Sequence, residues 1–334
     1  MKRLNIQSLY LLVSVLILIA GTAWKPAIIL SDSGVTRISF ARGATSATVI
    51  GHLAANSTKR YVLGATARQL MDVSLSAPEG VSLKATRNNG RSLTPVNGTS
   101  GSTGFRGYLP YTGDFFLTVT SGNQAVDFNL NVFIPMRISF KRGATSARLE
   151  GHLDANQSMD YILRASGGQI MEVNATPASA GVPLQQMIYG VDGSVLRSGM
   201  GEGSNFRGQL PSSQDYLVRI RAGEKATDFT LDVIIPQRIQ FKSGANSGSL
   251  RTRLPADLTQ YYVLSAMKDQ RMRVEITPED NLQLIIYGMD GNVLKSGMGE
   301  EASFDGQLLN TQDYILAVRN VGRLVSYTLR VTIR

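Results

Sequence analysis

The stretch RISFKRGATSARLEGHL, residues 137–153, occurs three times with small changes in this chain of 334 residues. RISFARGATSATVIGHL (37–53) matches it at 13 of 17 positions, and RIQFKSGANSGSLRTRL (238–254) matches it at 9 of 17. The spacing of about 100 residues is too long for a solenoid repeat and is the size of a small domain. The sequence therefore predicts three homologous domains in tandem, each able to bury its own core.

Within the repeats, apolar and polar residues alternate with the period of a half-buried strand. In ARLEGHL (147–153), Leu149 and Leu153 face one way, and Arg148, Glu150 and His152 face the other. The second repeat reads as eight or nine short strands, the first at 137–140, and Asp192-Gly193 marks a hairpin. No stretch has apolar residues at helical spacing. We therefore predict an all-β protein of three tandem antiparallel β-sandwiches, jelly-roll-like in character.

The domain boundaries follow from the repeat starts and from two prolines, Pro135 and Pro236, which each end a strand. Only one or two residues connect successive repeats, which predicts a semi-rigid row of domains. The predicted segments are an N-terminal signal at 1–23, a linker at 24–36, and repeats at 37–136, 137–237 and 238–334.

The first residues predict the compartment. Lys2 and Arg3 precede an apolar run from Leu9 to Ala20, and small residues precede a predicted cleavage site after Ala23. This arrangement is typical of a secretory signal peptide. An uncleaved membrane anchor at 4–24 is the alternative. Either way the repeats would lie outside the cytoplasm, as a secreted, periplasmic or cell-surface protein.

Composition narrows the classes of function. The chain has no cysteine, which excludes a thiolate metal site, a disulfide framework and a cysteine nucleophile. Its formal net charge is +9, so an exported form would favour anionic partners such as wall polymers, acidic polysaccharides or headgroups. Export also argues against nucleic acid as the partner.

No catalytic constellation is repeated along the chain. His52 and His152 lie at equivalent places in two repeats, and the third repeat has Arg253 there. There is no Gly-x-Ser-x-Gly elbow, no acidic calcium loop and no repeated carboxylate pair. We expect no enzyme activity, no metal and no cofactor.

Tyrosines are the candidates for sugar-binding platforms. Tyr61, Tyr161 and Tyr262 recur in the inward phase of a strand and are expected in the core. Tyr189 and Tyr287 recur just before a hairpin and are expected to be the more exposed pair.

Recurrent basic residues are the remaining candidates for binding a partner. Some precede the glycine of the first turn, and others lie on the outward phase of the next strand, so they could form a discontinuous basic row. Charge that protects an edge strand from aggregation is the competing interpretation. The residues are Arg42, Lys141, Arg142, Arg148, Lys242, Arg251 and Arg253.

The run from RGATSA through the Asp-Tyr strand, Gly-Gln, YGxDG, GxLPxxxDYxLxV and DFTLxVxIP resembles the bacterial pre-peptidase C-terminal domain. The series RGATSA…GHL…DYILRA…GGQIMEV…LPSSQDYLVRI is similar to periplasmic inhibitors of goose-type lysozyme. Together these motifs cover about 300 residues. They imply exported β-sandwich modules, and the second implies inhibition of a lysozyme, but no inhibitory residue can be matched.

These observations predict a non-catalytic, exported binding protein that contacts an anionic envelope polymer or another protein through its repeats. A lysozyme inhibitor is one alternative, with a basic loop of repeat one or two entering an acidic cleft. A structural spacer or self-assembling surface unit is the other.

Overall fold

The computed structural model describes residues 30–32, 34–96, 101–199, 203–297 and 302–334, with side chains from residue 34 onward. The signal segment predicted at 1–23 lies outside these residues. All regular structure in the described ranges is β-strand, and these ranges contain no helix able to cross a membrane. The predicted all-β fold class is confirmed.

The first sandwich packs sheet 1, of strand order β1-β2-β4-β8-β6, against sheet 2, of order β3-β9-β5-β7. The segment expected to be a linker contributes β1 and β2, which pair as a hairpin on the edge of sheet 1. The strands are β1 (Leu30–Asp32), β2 (Val35–Arg37), β3 (Ser46–Leu53), β4 (Thr58–Ala65), β5 (Leu70–Ser76), β6 (Ser82–Arg87), β7 (Gly104–Tyr108), β8 (Gly113–Thr120) and β9 (Val126–Phe133).

The second sandwich repeats this plan, with sheet 3 of order β10-β12-β17-β14-β15 and sheet 4 of order β11-β18-β13-β16. Its strands are β10 (Met136–Arg137), β11 (Ser146–Leu153), β12 (Ser158–Ala165), β13 (Ile170–Pro177), β14 (Leu184–Gly190), β15 (Val195–Arg197), β16 (Asn205–Gln209), β17 (Gln214–Ala222) and β18 (Thr227–Ile234).

The third sandwich has sheet 5 of order β19-β21-β26-β23-β24 and sheet 6 of order β20-β27-β22-β25. Its strands are β19 (Gln237–Arg238), β20 (Ser247–Leu254), β21 (Thr259–Ala266), β22 (Arg271–Thr277), β23 (Leu282–Gly288), β24 (Val293–Lys295), β25 (Phe304–Gln307), β26 (Gln312–Asn320) and β27 (Val325–Ile333).

Each sandwich buries a core built from the inward phase of its strands. Tyr61, Tyr161 and Tyr262 are at most 1% exposed, as the alternation predicts. Leu153 is fully buried, and Phe140 and Leu149 pack against the same cluster from its rim. Burying one such aliphatic side chain contributes about 1.5–3 kcal/mol, so the inward phase of the strands is a main source of stability for each sandwich.

The opening strand of each repeat is shorter than predicted. The strand expected at 137–140 is limited to Met136–Arg137, and it pairs in parallel with β12, unlike the antiparallel majority. Pro135 directly precedes it, and the ladder continues for only one further bond, from Ile138 N to Ile162 O (2.8 Å). β2 and β19 form the same parallel pair in the other sandwiches.

Successive sandwiches contact each other face to face. Leu70 of sheet 2 packs with Ile162, Val191 and Leu217 of the second sandwich. In the same way, residues of sheet 4 and sheet 5 form a second cluster made by Ile170, Val263 and Ile315. The six sheets therefore follow one another as layers, and no other described sandwich covers the outer faces of sheets 1 and 6.

Candidate binding surfaces

The basic residues predicted at the first turn are exposed in every sandwich. Arg42, Lys141 with Arg142, and Lys242 lie beside Gly43, Gly143 and Gly244. The φ angles of these glycines are 77–79°, in the left-handed region that a side chain rarely adopts. The four cations have no ion pair or hydrogen bond with the described residues. Each sandwich therefore has at least one exposed cation within two residues of this glycine, although its exact position changes from Arg42 to Lys141 with Arg142 and to Lys242.

Arg148, also predicted to contact a partner, has a partner within its own sheet. The β11–β18 ladder places it opposite Asp232, and its Nε and Nη2 each lie 2.7 Å from a carboxylate oxygen. This bidentate contact raises the pKa of Arg148, chiefly through the hydrogen bond. The Arg148 side chain remains 66% exposed, but its charge is locally compensated.

Each histidine also contacts the aspartate that lies opposite it on the neighbouring strand. His52 Nδ1 lies 2.8 Å from Asp127, and His152 Nδ1 lies 2.6 Å from Asp228. The hydrogen bond that His152 donates to the carboxylate of Asp228 is the largest cause of the raised pKa of His152. Both histidines are exposed and lie in different sandwiches.

Arg251 and Arg253 occupy a different environment on the outer face of sheet 6. Both are exposed, and neither has a carboxylate within ion-pair distance among the described residues. Arg330 on the adjacent β27 shares this face. The structure brings these cations together, whereas it leaves the turn cations in separate sandwiches.

The tyrosines expected to be the more exposed pair lie between sandwiches instead. The guanidinium of Arg106 lies 5.2 Å from the ring of Tyr189, and that of Arg207 lies 4.6 Å from the ring of Tyr287. Each tyrosine is only partly exposed because the preceding sandwich covers it. They are therefore interface residues and not open platforms for sugar.

Both interfaces contain ion pairs. Asp72 pairs with Arg106 at 2.7 Å, with both side chains 16% exposed. Glu172 pairs with Arg207 at 2.9 Å and also accepts a hydrogen bond from the hydroxyl of Tyr287 (3.3 Å). Burial raises the pKa of Glu172, and the arginine opposes this rise. These carboxylates are held by structural partners.

A second pair of charges strengthens the first interface. Arg219 stacks over the ring of Phe133 at 4.2 Å and donates to Asp160 at 2.5 Å. The backbone N of Asp160 donates to the hydroxyl of Thr45 across the interface (2.7 Å), as Tyr261 N does to Thr145 at the second interface. The RGAT motif thus supplies a hydroxyl that joins each sandwich to the next.

The recurrent arginine that opens each repeat pairs with the aspartate that opens a later strand. Arg37 pairs with Asp114 at 2.7 Å, Arg137 with Asp215 at 2.8 Å, and Arg238 with an oxygen of Asp313 at 2.6 Å. Sequence reasoning missed these pairs, although their signal was present: both residues recur in all three copies.

Within the described ranges, no cluster of three or more histidine, aspartate or glutamate side chains could hold a metal ion. The arrangement can bind anions through exposed guanidinium and ammonium groups, which form charge-assisted hydrogen bonds with carboxylates and phosphates.

The fold and these surfaces define an all-β protein of three stacked, jelly-roll-like sandwiches with basic residues at recurrent exposed positions. No family model matches the chain, and no curated protein matches it. The resemblance to the pre-peptidase C-terminal domain therefore stays a prediction.

Comparison with solved structures gives similarities to lysozyme inhibitors and to a viral protein. The chain is similar to Aeromonas hydrophila PliG, a periplasmic inhibitor of g-type lysozyme, with 24% identity over 30% of this chain and 95% of that chain and a TM-score of 0.26. Salmonella Typhimurium PliG has 17% identity over 30% and 96%, with a TM-score of 0.23. A chain with a triple jelly roll fold from an archaeal virus has 12% identity over 84% and 83%, with a TM-score of 0.20. At these values the likeness concerns the fold alone.

Proposed function

We propose that the protein is an exported, non-catalytic binding protein that contacts an anionic polymer or protein of the cell envelope. The supporting observation is the exposed cation beside the first turn of every sandwich, at Arg42, at Lys141 with Arg142, and at Lys242. These cations have no partner among the described residues, so they are free to contact an anionic group.

The stacking of the sandwiches supports this proposal. Apolar clusters and the contacts of Arg106 with Tyr189 and of Arg207 with Tyr287 join each sandwich to the next, which keeps the equivalent turns at fixed separations. Several weak contacts held at fixed separations bind a long partner more tightly than any one contact does.

Sedimentation with isolated cell envelope tests the proposal. We expect the protein to pellet with the envelope at low ionic strength and to be released as salt rises, because salt screens exposed charges. A variant with Lys141→Ser, Arg142→Ser and Lys242→Ser should pellet less. Failure of the unaltered protein to pellet at low salt would contradict the proposal.

Inhibition of a goose-type lysozyme is the second candidate, supported by the sequence motifs shared with that inhibitor family and by the exposed Lys141-Arg142 turn. Lysis assays with goose-type and hen-type enzymes test it. Loss of goose-type lysis at near-stoichiometric protein supports the inhibitor, and unchanged lysis by both enzymes removes it.

A further inference from the structure

The outer face of sheet 6 has the opposite charge to the equivalent face of sheet 4. In sheet 4, six equivalent positions hold Arg148, Glu150, His152, Glu172, Asp228 and Asp232. In sheet 6 they hold Ser249, Arg251, Arg253, Arg273, Ser326 and Arg330. Four carboxylates of the second sandwich are therefore replaced by three arginines and a serine in the third.

The strand register arranges five arginines in one row. Arg253 and Arg251 are two residues apart on β20, which is about 7 Å along a strand. Arg251 lies opposite Thr328, two residues from Arg330 on β27. Since neighbouring strands are about 4.8 Å apart, the step from Arg251 to Arg330 is about 8 Å.

The row continues in the same direction on the next strand. Arg330 lies opposite Glu275 on β22, and Arg273 and Arg271 follow at two-residue intervals. The steps are again about 8 Å and about 7 Å, so the Cα atoms of the five arginines cross the sheet diagonally over roughly 30 Å. We call these residues, Arg253, Arg251, Arg330, Arg273 and Arg271, the arginine row.

Carboxylates neutralise only one end of the arginine row. Arg273 pairs with Glu275 at 2.7 Å, and Arg271 pairs with Asp305 at 2.6 Å. Arg251, Arg253 and Arg330 have no ion pair with the described residues. All five arginines are exposed, and exposed ion pairs contribute little energy, so the whole row is accessible to a competing anion.

The position of Arg271 also differs from its equivalents in the first two sandwiches, which pack against the following sandwich. Leu70 and Ile170, the equivalents of Arg271, are at most 2% exposed because the following sandwich packs against them. The Arg271 side chain is 67% exposed. Arg271 does not form the apolar contact made by Leu70 and Ile170, so among the described residues this face is open to a ligand.

We propose that the arginine row is the binding site for a linear polyanion with a phosphate or carboxylate group on each repeating unit. This inference rests on the proposed function and names its site and its partner class. Guanidinium groups bind both anions through paired hydrogen bonds. Cations spaced about 7–8 Å apart contact an extended chain of anions at several points, because anionic groups recur along the whole length of the chain.

Binding of long-chain polyphosphate and of poly-L-glutamate tests the site. The row variant replaces Arg251, Arg253 and Arg330 by serine, which the third repeat itself carries at Ser249 and Ser326. The matched control replaces Lys84, Arg91 and Lys225 by serine, because these three cations are exposed and lie outside both the first turns and the arginine row. Both variants therefore lose three positive charges. Thermal denaturation of each variant checks that the fold is retained.

We expect the row variant to bind both polymers at least about tenfold more weakly at low salt, and the control to stay within about twofold of the unaltered protein. The salt dependence of affinity should also fall in the row variant, since fewer counterions are released from the polymer. An equal loss of polymer affinity in the two variants, or no loss in the row variant, would show that the arginine row is not the binding site.

Polymer length gives an independent test. Tripolyphosphate reaches only one or two of the five arginines, so it should bind far more weakly than a polyphosphate chain long enough to span roughly 30 Å. If the affinity per phosphate does not change with polymer length, the proposal that one extended polymer contacts the whole arginine row is wrong.

The two proposals can fail separately. If the unaltered protein and the row variant pellet equally with envelope, the proposed function stands and the arginine row is not its site. If the protein binds polyphosphate through the row but never pellets with envelope, the site stands and the envelope is not the partner.

Discussion

The carboxylate of Asp215 shows how one recurrent residue is used for structure. The side chain is 8% exposed, and it accepts hydrogen bonds from Arg137 (2.8 Å) and from the hydroxyl of Tyr108 (2.5 Å) of the preceding sandwich. Burial alone would raise its pKa, but these hydrogen bonds outweigh burial and lower the pKa below the ordinary range. Asp215 therefore joins strands of its own sandwich and also joins two sandwiches.

Replacing Asp215 by Asn should destabilise the protein by about 1–3 kcal/mol near neutral pH, because the hydrogen bonds from Arg137 and Tyr108 to a charged group are weakened. The lowered pKa means that the ionised form stabilises the fold above about pH 4, and that this stabilisation is lost as pH falls through the folded pKa. Denaturation of both proteins at about pH 7 and about pH 3 should show the difference shrinking at the lower pH.

Asp127→Asn is the matched control for Asp215→Asn. The Asp127 side chain is 87% exposed, so its replacement should change stability little at either pH. A destabilisation by Asp215→Asn that is constant with pH would contradict a role for the ionised carboxylate.

At the scale of single elements, a glycine fixes the packing of β11 on β18. The ladder places Gly151 opposite Phe229, whose ring lies over the glycine. A Cβ built on Gly151 would lie 2.6 Å from Cε1 and 2.7 Å from Cζ of that ring. Gly51 and Phe128 repeat this arrangement in the first sandwich, which explains the glycine in the GHL motif.

Gly151→Ala should destabilise the second sandwich by about 1–3 kcal/mol, because the Phe229 ring must move out of a filled core. Chemical denaturation followed by circular dichroism measures the change. Gly101→Ala is the control, since a Cβ there meets no atom within 4 Å and the glycine has no left-handed φ. Equal effects of the two substitutions would contradict the packing explanation.

At the scale of the whole molecule, the interfaces decide how the sandwiches are arranged. Each interface contains an apolar cluster and an ion pair. The ion pairs are at equivalent positions and are formed by Asp72 with Arg106 and by Glu172 with Arg207. In the third sandwich, Asp305 lies at the position equivalent to Arg106 and Arg207. The arrangement of charges found at the two interfaces is therefore not repeated there. The outer face of the third sandwich therefore differs in charge from the faces that form the two interfaces.

Ile170→Arg should separate the second and third sandwiches while each remains folded, since it introduces the residue that the third repeat has at this position. We expect small-angle scattering to show a larger radius of gyration and circular dichroism to stay unchanged. Val195→Arg, at a side chain that is 58% exposed, is the control and should alter neither. An unchanged radius of gyration for Ile170→Arg would contradict the importance of this interface.

The sequence by itself determined the repeat, the strand alternation, the hairpin at Asp192-Gly193 and the inward position of the core tyrosines. These are local properties: a period of two fixes which side chains share a face, and turn residues fix where strands end. The exposed position of the cations beside Gly43, Gly143 and Gly244 was predictable for the same reason.

Only the tertiary structure decided which outward residues meet one another. Strand register pairs Arg148 with Asp232, and sandwich stacking covers Tyr189 and Tyr287. These contacts join residues that are distant along the chain, and alternation within one strand carries no information about its neighbour's register. The same reason explains the arginine row: its members come from three strands, and only their alignment across the sheet makes one surface of them.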